Sequence, residues 1–348
     1  MPTASPPPPS RLRAALDPAC WSWGAARLAL FAPGLLALGL RVLAPLLPDE
    51  FVWVHAAKAL LLVAPRWCLA LWGPAALLLA ARARALAPAA LVLGVFGLAS
   101  AGRPLSDAPG EGYRIVTSNV NTYGENPTPG ATEQALAALD ADVVVALERR
   151  PEQIPGLRRV ADDFEDDMPR PSHASAVFCR EGVACEAAVT EQIGSETMKM
   201  PVALVRLGGE LCLLGVHAPP PAPYDPSGIG PYIQEIARHL AAGRLSLDWG
   251  PCRAGDPALV SGDLNAVPLS TAWRTLDRCC GLSAPLLAHG VFASSWPAGG
   301  GWPNLPVFPI DHVFAGAVEV SGLRLARVPG TDHKAVMMRA RPAPTPVR

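Results

Sequence analysis

Three apolar stretches in the first third of the chain constrain its fold more than any other feature. Leu28 to Leu47 carries one charge, at Arg41; Ala59 to Ala81 carries Pro65-Arg66 near one end; Ala85 to Ala101 is uncharged. Each approaches the length of about twenty residues that crosses a bilayer. None keeps the polar face of a helix in a soluble bundle. The sequence therefore predicts a transmembrane region over 28–102 with about three helices. A Pro-rich tail over 1–27 precedes it and reads as disordered, because Pro6-Pro7-Pro8-Pro9 cannot sit inside a helix. A cleaved signal peptide would have a shorter apolar core and a small-residue cleavage site, not two further apolar stretches. Phe51 to Lys58, with Trp53 and His55, is interfacial in character. Arg11, Arg13 and Arg27 precede the first stretch, and Arg82 and Arg84 lie between the second and third. Keeping both groups in the cytoplasm makes a multi-pass protein of the cell membrane whose remaining chain is extracytoplasmic.

That remaining chain has a different character. Residues 1–103 carry nine Lys and Arg against three Asp and Glu, net +6, while 104–348 carry 20 against 27, net −7, which together give the −1 of the whole chain. Residues 103–112, with Pro104, Pro109 and Gly110, read as a linker, 113–341 as a domain and 342–348 as a C-terminal tail. Within the domain the runs at 114–120, 142–147, 175–179, 202–207, 211–217, 258–261 and 311–315 are strand-like, and Thr132 to Leu139 and Tyr232 to Ser246 are helical in pattern. This alternation alone supports α/β or α+β. Six of the eight cysteines lie in the domain, an even number that permits disulfides in an exported chain. Cys179 and Cys185 have hairpin-like spacing and could be bridged, whereas Cys212, in mid-strand, reads as a buried thiol. No Cys or His spacing points to zinc.

Polar residues recur where these apolar runs end. Val260-Ser261-Gly262-Asp263-Leu264-Asn265-Ala266 breaks a strand on Ser-Gly and sets a carboxylate and a carboxamide two residues apart, on one face. Asp263 can hold a hard cation or a water, and Asn265 can donate to a phosphoryl oxygen. Such a sequence also makes ordinary Asx turns, so its company decides. Strands end near Asn119, in Glu148 and in His217; Asp311 lies inside the short apolar strand Phe308-Pro309-Ile310-Asp311-His312-Val313-Phe314, and Gly330-Thr331-Asp332-His333 forms a turn before a further one. Buried unpaired, these groups would cost roughly several kcal/mol each. They should therefore satisfy one another around one site.

In order and chemistry these residues resemble the endonuclease/exonuclease/phosphatase superfamily of metal-dependent phosphodiesterases, related to pancreatic deoxyribonuclease, abasic-site endonucleases, sphingomyelinases and inositol-phosphate phosphatases. The resemblance runs from Tyr113 to Arg339, and the loop Pro219-Pro220-Pro221 resembles that of membrane-anchored bacterial members. It implies a four-layer sandwich, two mixed β-sheets flanked by helices. It also implies Mg²⁺ or Mn²⁺ held by Glu148 and Asp332 with support from Asn119. His217 would contact the scissile phosphate, and His333 would be the catalytic imidazole, its tautomer fixed and its basicity raised by Asp311. Asp263 and Asn265 would orient the attacking water and stabilise the pentacovalent transition state. Water would attack in line, with no covalent nucleophile. His312 is incidental, since adjacent strand positions face opposite ways. A side chain that often buttresses the His matched by His217 has no clear counterpart, His173 and Ser175 lying nearest. Trp296, Trp302 and Asn304 are pocket-lining candidates.

The expectation is a membrane-anchored, Mg²⁺- or Mn²⁺-dependent phosphoesterase that engages the lipid bilayer and no protein partner. Its substrate would be a small phosphoester, a lipid headgroup or a nucleic acid. The net −7 and the acidic run 162–167 disfavour long nucleic-acid contacts, which leaves a nuclease as the alternative. An inactive ligand-binding member is the other alternative, although an acid, amide or imidazole stands at each motif position. Transport through the spans is disfavoured by their lack of ionisable residues beyond Arg41 and Arg66.

Overall fold

A computed structural model describes residues 103–105, 110–120, 130–148, 151–163, 174–189, 193–194, 199–220, 229–268, 270–298 and 308–344. The tail, the three apolar stretches and 345–348 lie outside them. Among the described residues no helix is long and apolar enough to cross a membrane.

Among the described residues, eleven strands build the two main sheets. They are β1 (Tyr113–Asn119), β2 (Val143–Glu148), β3 (Leu157–Asp162), β4 (Ala174–Arg180), β5 (Cys185–Val189), β6 (Val202–Leu207), β7 (Leu211–His217), β8 (Ala258–Asp263), β9 (Asp311–Gly316), β10 (Val318–Arg327) and β11 (Lys334–Pro342). One sheet has the order β10-β11-β1-β2-β4-β3, the other β9-β8-β7-β6-β5. Each is mixed in the same way: a single parallel pair, β1 with β2 and β7 with β8, lies among antiparallel neighbours. The inner strands are buried on both faces and so read as unbroken apolar runs, such as VVVAL in β2 and LCLLGV in β7.

Strand alternation sorts these residues into layers. Val143, Val145 and Leu147 of β2 face Val205, Leu213 and Leu259 of the other sheet in a shared core. Val144 and Ala146 point outward to Leu136 of helix α1 (Ala131–Ala138). The outer face of the second sheet is covered by α2 (Ile229–Arg238), through Tyr232, Ile233 and Ile236, and by α3 (Thr271–Cys279), through Trp273 and Leu276. Helix, sheet, sheet and helices make the expected α/β sandwich.

Several local expectations change. The helix expected over Tyr232 to Ser246 runs only from Ile229 to Arg238. The chain then folds into a short hairpin, Leu240–Ala241 against Arg244–Leu245, whose turn residues Ala242 and Gly243 both have positive φ (48° and 76°). A side chain at Gly243 would collide with the backbone of Gly316. β3, β5 and β10 were not expected, because they carry exposed charges such as Arg158, Arg159, Glu186 and Arg324 in place of an apolar run. Cys179 and Cys185 are bridged, and Cys279 is bridged to Cys280. Cys212 is not a thiol. The 249–252 turn brings the Cα of Cys252 to 5.7 Å from that of Cys212, within disulfide range, and the two are bonded. The start of the linker is docked: Arg103 N–H donates to Ala288 O, and Arg103 O lies 2.8 Å from His289 Nδ1, on the 3-10 segment Pro285–Ala293.

Candidate active site

The two parallel pairs determine what meets at one end of the sandwich. β1 and β2 end together at Asn119 and Glu148, and β7 and β8 end together with His217 paired to Asp263. β9, running the other way, begins with Asp311 opposite Asp263, and β11 begins directly after Thr331-Asp332-His333 beside the end of β1. Gly262 permits this register. Its φ of 139° suits glycine, and any side chain there would collide with the carbonyl of Val216.

Asn119, fully buried, donates from Nδ2 to Glu148 Oε1 at 2.8 Å and to Asp263 Oδ2 at 3.0 Å. Glu148 adopts a positive φ of 68°, and its Oε1 stands 3.0 Å from His217 Nε2, an ion-pair contact without the alignment of a hydrogen bond. Asp263 Oδ1 accepts from the Asn265 N–H at 2.7 Å, and Asn265 Nδ2 donates to Ala218 O at 2.8 Å. His333 Nδ1 lies 2.9 Å from Asp311 Oδ2, while its Nε2 lies 3.7 Å from Asp263 Oδ2 and 3.9 Å from Asp332 Oδ1. The Asp311 contact engages Nδ1 and leaves Nε2 facing the other two carboxylates.

Burial would push the imidazoles down, but neighbouring carboxylates outweigh it. His333 rises to about 10 through Asp311 and then Asp263, and His217 rises through Glu148 and then Asp263. Glu148 is pushed up by burial, yet ends below its ordinary range because His217, the Asn119 amide and His333 favour its charge. Asp263 is raised to about 6, by burial first and by Asp311 as well, against the pull of His333 and His217.

Among the described residues, two groups of side chains have the spacing to hold a metal ion: Glu148 with His217 and Asp263, and Asp263 with Asp311 and His333. Two observations fit a divalent cation. Glu148 Oε2 and Asp332 Oδ1 are buried oxygens with no hydrogen-bond partner. Moreover, among the described residues four carboxylates, Glu148, Asp263, Asp311 and Asp332, gather around His217 and His333. Hard oxygen donors of this kind suit Mg²⁺ or Mn²⁺. Asp332 belongs to neither group, and Asn119 turns its nitrogen to the carboxylates.

The structure thus brings all eight expected residues to one end of the sandwich. His312 faces the other way: its Nε2 lies 2.6 Å from Ala266 O and its ring packs near Trp273 and Phe314. Ser175 is buried with Oγ unpartnered, while His173, Trp302 and Asn304 lie outside the described residues. Several supporting residues escaped the sequence reading. Thr331 Oγ1 donates to Asn119 O at 2.6 Å and accepts from His333 N–H at 3.1 Å; Ser295 Oγ accepts from Asp311 N–H at 3.2 Å; Tyr232 OH accepts from His217 N–H at 3.2 Å. Only Thr331, inside the Thr-Asp-His turn, carried a local signal. The partners of Ser295 and Tyr232 lie 16 and 15 residues away, beyond the reach of a motif.

A model of the Endonuclease/Exonuclease/phosphatase family matches residues 116–333. No curated protein matches the chain. Solved structures do, among them a conserved protein of unknown function from Enterococcus faecalis (13% identity, 66% of this chain and 99% of that one, TM-score 0.45). A mannosyl-6-phosphatase from Bacteroides thetaiotaomicron is similar at 13% identity, with the same coverage and a TM-score of 0.44. The human Nocturnin catalytic domain with bound sulfate is similar at 13% identity, over 67% of this chain and 95% of that one, with a TM-score of 0.44.

Proposed function

Because the chain belongs to the endonuclease/exonuclease/phosphatase family, we propose that it is a divalent-metal-dependent phosphoesterase that hydrolyses a phosphodiester or phosphomonoester by in-line attack of water. One observation carries the reading: Asn119 bonds both Glu148 and Asp263 across the two sheets, beside His217 and the Asp311–His333 pair, and leaves Glu148 Oε2 buried and unpartnered. Glu148 and Asp332 would hold the ion, with Asn119 supporting and Asp263 at ligand distance from Glu148. Bound Mg²⁺ or Mn²⁺ would supply charge neutralisation at the phosphoryl oxygens.

The chain's own residues supply the rest. Asp263, tied by the Asn265 N–H, is set to orient a water, and its raised affinity for a proton suits it to take one. Asn265, at a positive φ of 47° two residues beyond β8, gives one Nδ2–H to Ala218 O and offers the other to the developing pentacovalent centre. His217 contacts the phosphate, and a protonated His333, held by Asp311, stabilises the charge on the phosphoryl group. The apolar stretches anchor this domain in the cell membrane with its site extracytoplasmic, where small phosphoesters and lipid headgroups are accessible.

The test is turnover by the detergent-solubilised full chain, with Mg²⁺ or Mn²⁺ and with chelator. Substrates should include p-nitrophenyl phosphate, bis-p-nitrophenyl phosphate, single- and double-stranded DNA, RNA and phospholipid vesicles. Metal-dependent hydrolysis of any of these supports the reading, and no hydrolysis with either ion overturns it.

A further inference from the structure

Asp332 is held from outside the motif that contains it. Its Oδ2 accepts the indole N–H of Trp296 at 2.8 Å, and its Oδ1, buried and without a hydrogen-bond partner, stands 3.9 Å from His333 Nε2. Trp296 is itself fixed in place. Its backbone exchanges two hydrogen bonds with Phe308, of 3.0 and 2.8 Å, and the two rings pack with centroids 5.7 Å apart. The segment around it is tied to the strand and turn that carry Asp332: Ala298 N–H donates to Asp332 O, Lys334 N–H to Ser295 O at 3.1 Å, and Arg327 Nη2 to Ala298 O at 2.8 Å.

The choice of donor matters. The Asp332 side chain is about a quarter exposed (26%), so without a partner on one oxygen it would rotate and offer either to solvent. An N–H on Oδ2 fixes that rotation and leaves Oδ1 directed inward. A cationic donor would do the same but would neutralise the carboxylate, whereas indole is an uncharged donor with no acceptor.

We propose that Trp296 is a positioning residue of the hydrolytic site, whose indole N–H fixes the orientation of Asp332 and so presents Oδ1 to the cation and to His333. The inference rests on the reading of Asp332 as part of that site and adds to it a residue far from the motif. Outer partners of metal-site carboxylates are typically worth about 10- to 100-fold in metal affinity or activity.

The experiment uses the full chain in detergent. Trp296→Phe keeps an aromatic ring and removes the N–H. It should weaken Mn²⁺ binding, followed by electron paramagnetic resonance, about 10- to 100-fold, with the thermal unfolding midpoint close to that of the parent chain. In an Asp332→Ala background the same substitution should change Mn²⁺ affinity by about twofold or less, since the two act as a unit. A third measurement needs neither turnover nor metal. With ¹⁵N-indole labelling, the resonance that disappears in Trp296→Phe should move in Asp332→Asn. Mn²⁺ affinity unchanged by Trp296→Phe, an equal loss without Asp332, or an indole resonance indifferent to Asp332→Asn overturns the proposal. A parent chain that binds Mn²⁺ but hydrolyses nothing would instead sink the functional reading and leave the coupling of Trp296 to Asp332 to be judged by the resonance.

Discussion

Asn119 and Asp263 lie 144 positions apart on different sheets, and a single hydrogen bond of 3.0 Å joins them. The same amide nitrogen holds Glu148 at 2.8 Å, so one side chain keeps two buried carboxylates together. Asn119→Ala should therefore destabilise the fold by about 1–3 kcal/mol, the range for leaving buried partners unsatisfied. Asn119→Asp should cost more, by adding a charge of like sign. Urea unfolding in the presence of chelator measures both, and an Asn119→Asp variant as stable as the parent would contradict the bridging role.

The pairing of His333 with Asp311 leads to a non-additive prediction. Asp311→Asn would remove the carboxylate that orients the His333 ring and favours its protonated form, and would lower kcat by orders of magnitude with little change in metal affinity. His333→Ala added to Asp311→Asn should then cost little more, because residues acting as a unit do not multiply. His312→Ala, on the opposite face of the strand, should affect stability more than turnover. Full multiplication of the first two effects, or a His312→Ala loss as deep as that of His333→Ala, would refute the assignment.

The unpartnered Oε2 of Glu148 bears on the metal. Chelation should abolish hydrolysis reversibly. Glu148→Gln, which keeps shape and removes charge, should weaken Mg²⁺ and Mn²⁺ binding by calorimetry without loss of the folded state. Turnover that survives exhaustive chelation and this substitution would rule out a metal at Glu148.

The Asp311 and Asp263 carboxylates push His333 up from its ordinary 6.5 to about 10, against the effect of burial. A group whose pKa is raised by folding contributes stability that is complete below the unfolded pKa and is lost as pH rises through the folded one. The stability difference between the parent and His333→Gln, measured in chelator, should therefore be largest near pH 6 and shrink toward pH 10. A difference that grows with pH across this window would show that the carboxylates do not hold His333 charged.

The topological proposal has its own test. A reporter active only outside the cytoplasm should work when fused after Arg348 and be silent when fused near Arg82. The reverse pattern would place the domain inside.

What could be read along the chain and what could not divides by physical cause. Asn119, Glu148, His217 and Asp263 were legible because each terminates an inner strand whose burial on both faces writes an apolar run, and a polar residue at its end stands out. β3, β5 and β10 were not, since a partly exposed strand can carry Arg and Glu without penalty. The Trp296 contact to Asp332 and the Cys212–Cys252 bond were invisible for another reason: spans of 36 and 40 residues are closed by tertiary structure, and no local periodicity encodes them. Asp332 also shows how a motif can name a residue without fixing its neighbours, for it joins neither ligand-spaced group.

β11 lies between β10 and β1, so the first strand of the domain waits for the last before its free edge is covered. A chain still being made holds Asn119, Glu148, His217 and Asp263 well before it holds His333, and during that interval the carboxylates lack one of their two balancing imidazoles. Synthesis proceeds from the N-terminus, and contacts between distant segments form late. Until β11 has emerged, the nascent polypeptide thus has Asp311 without its His333 partner, and β1 has one edge uncovered.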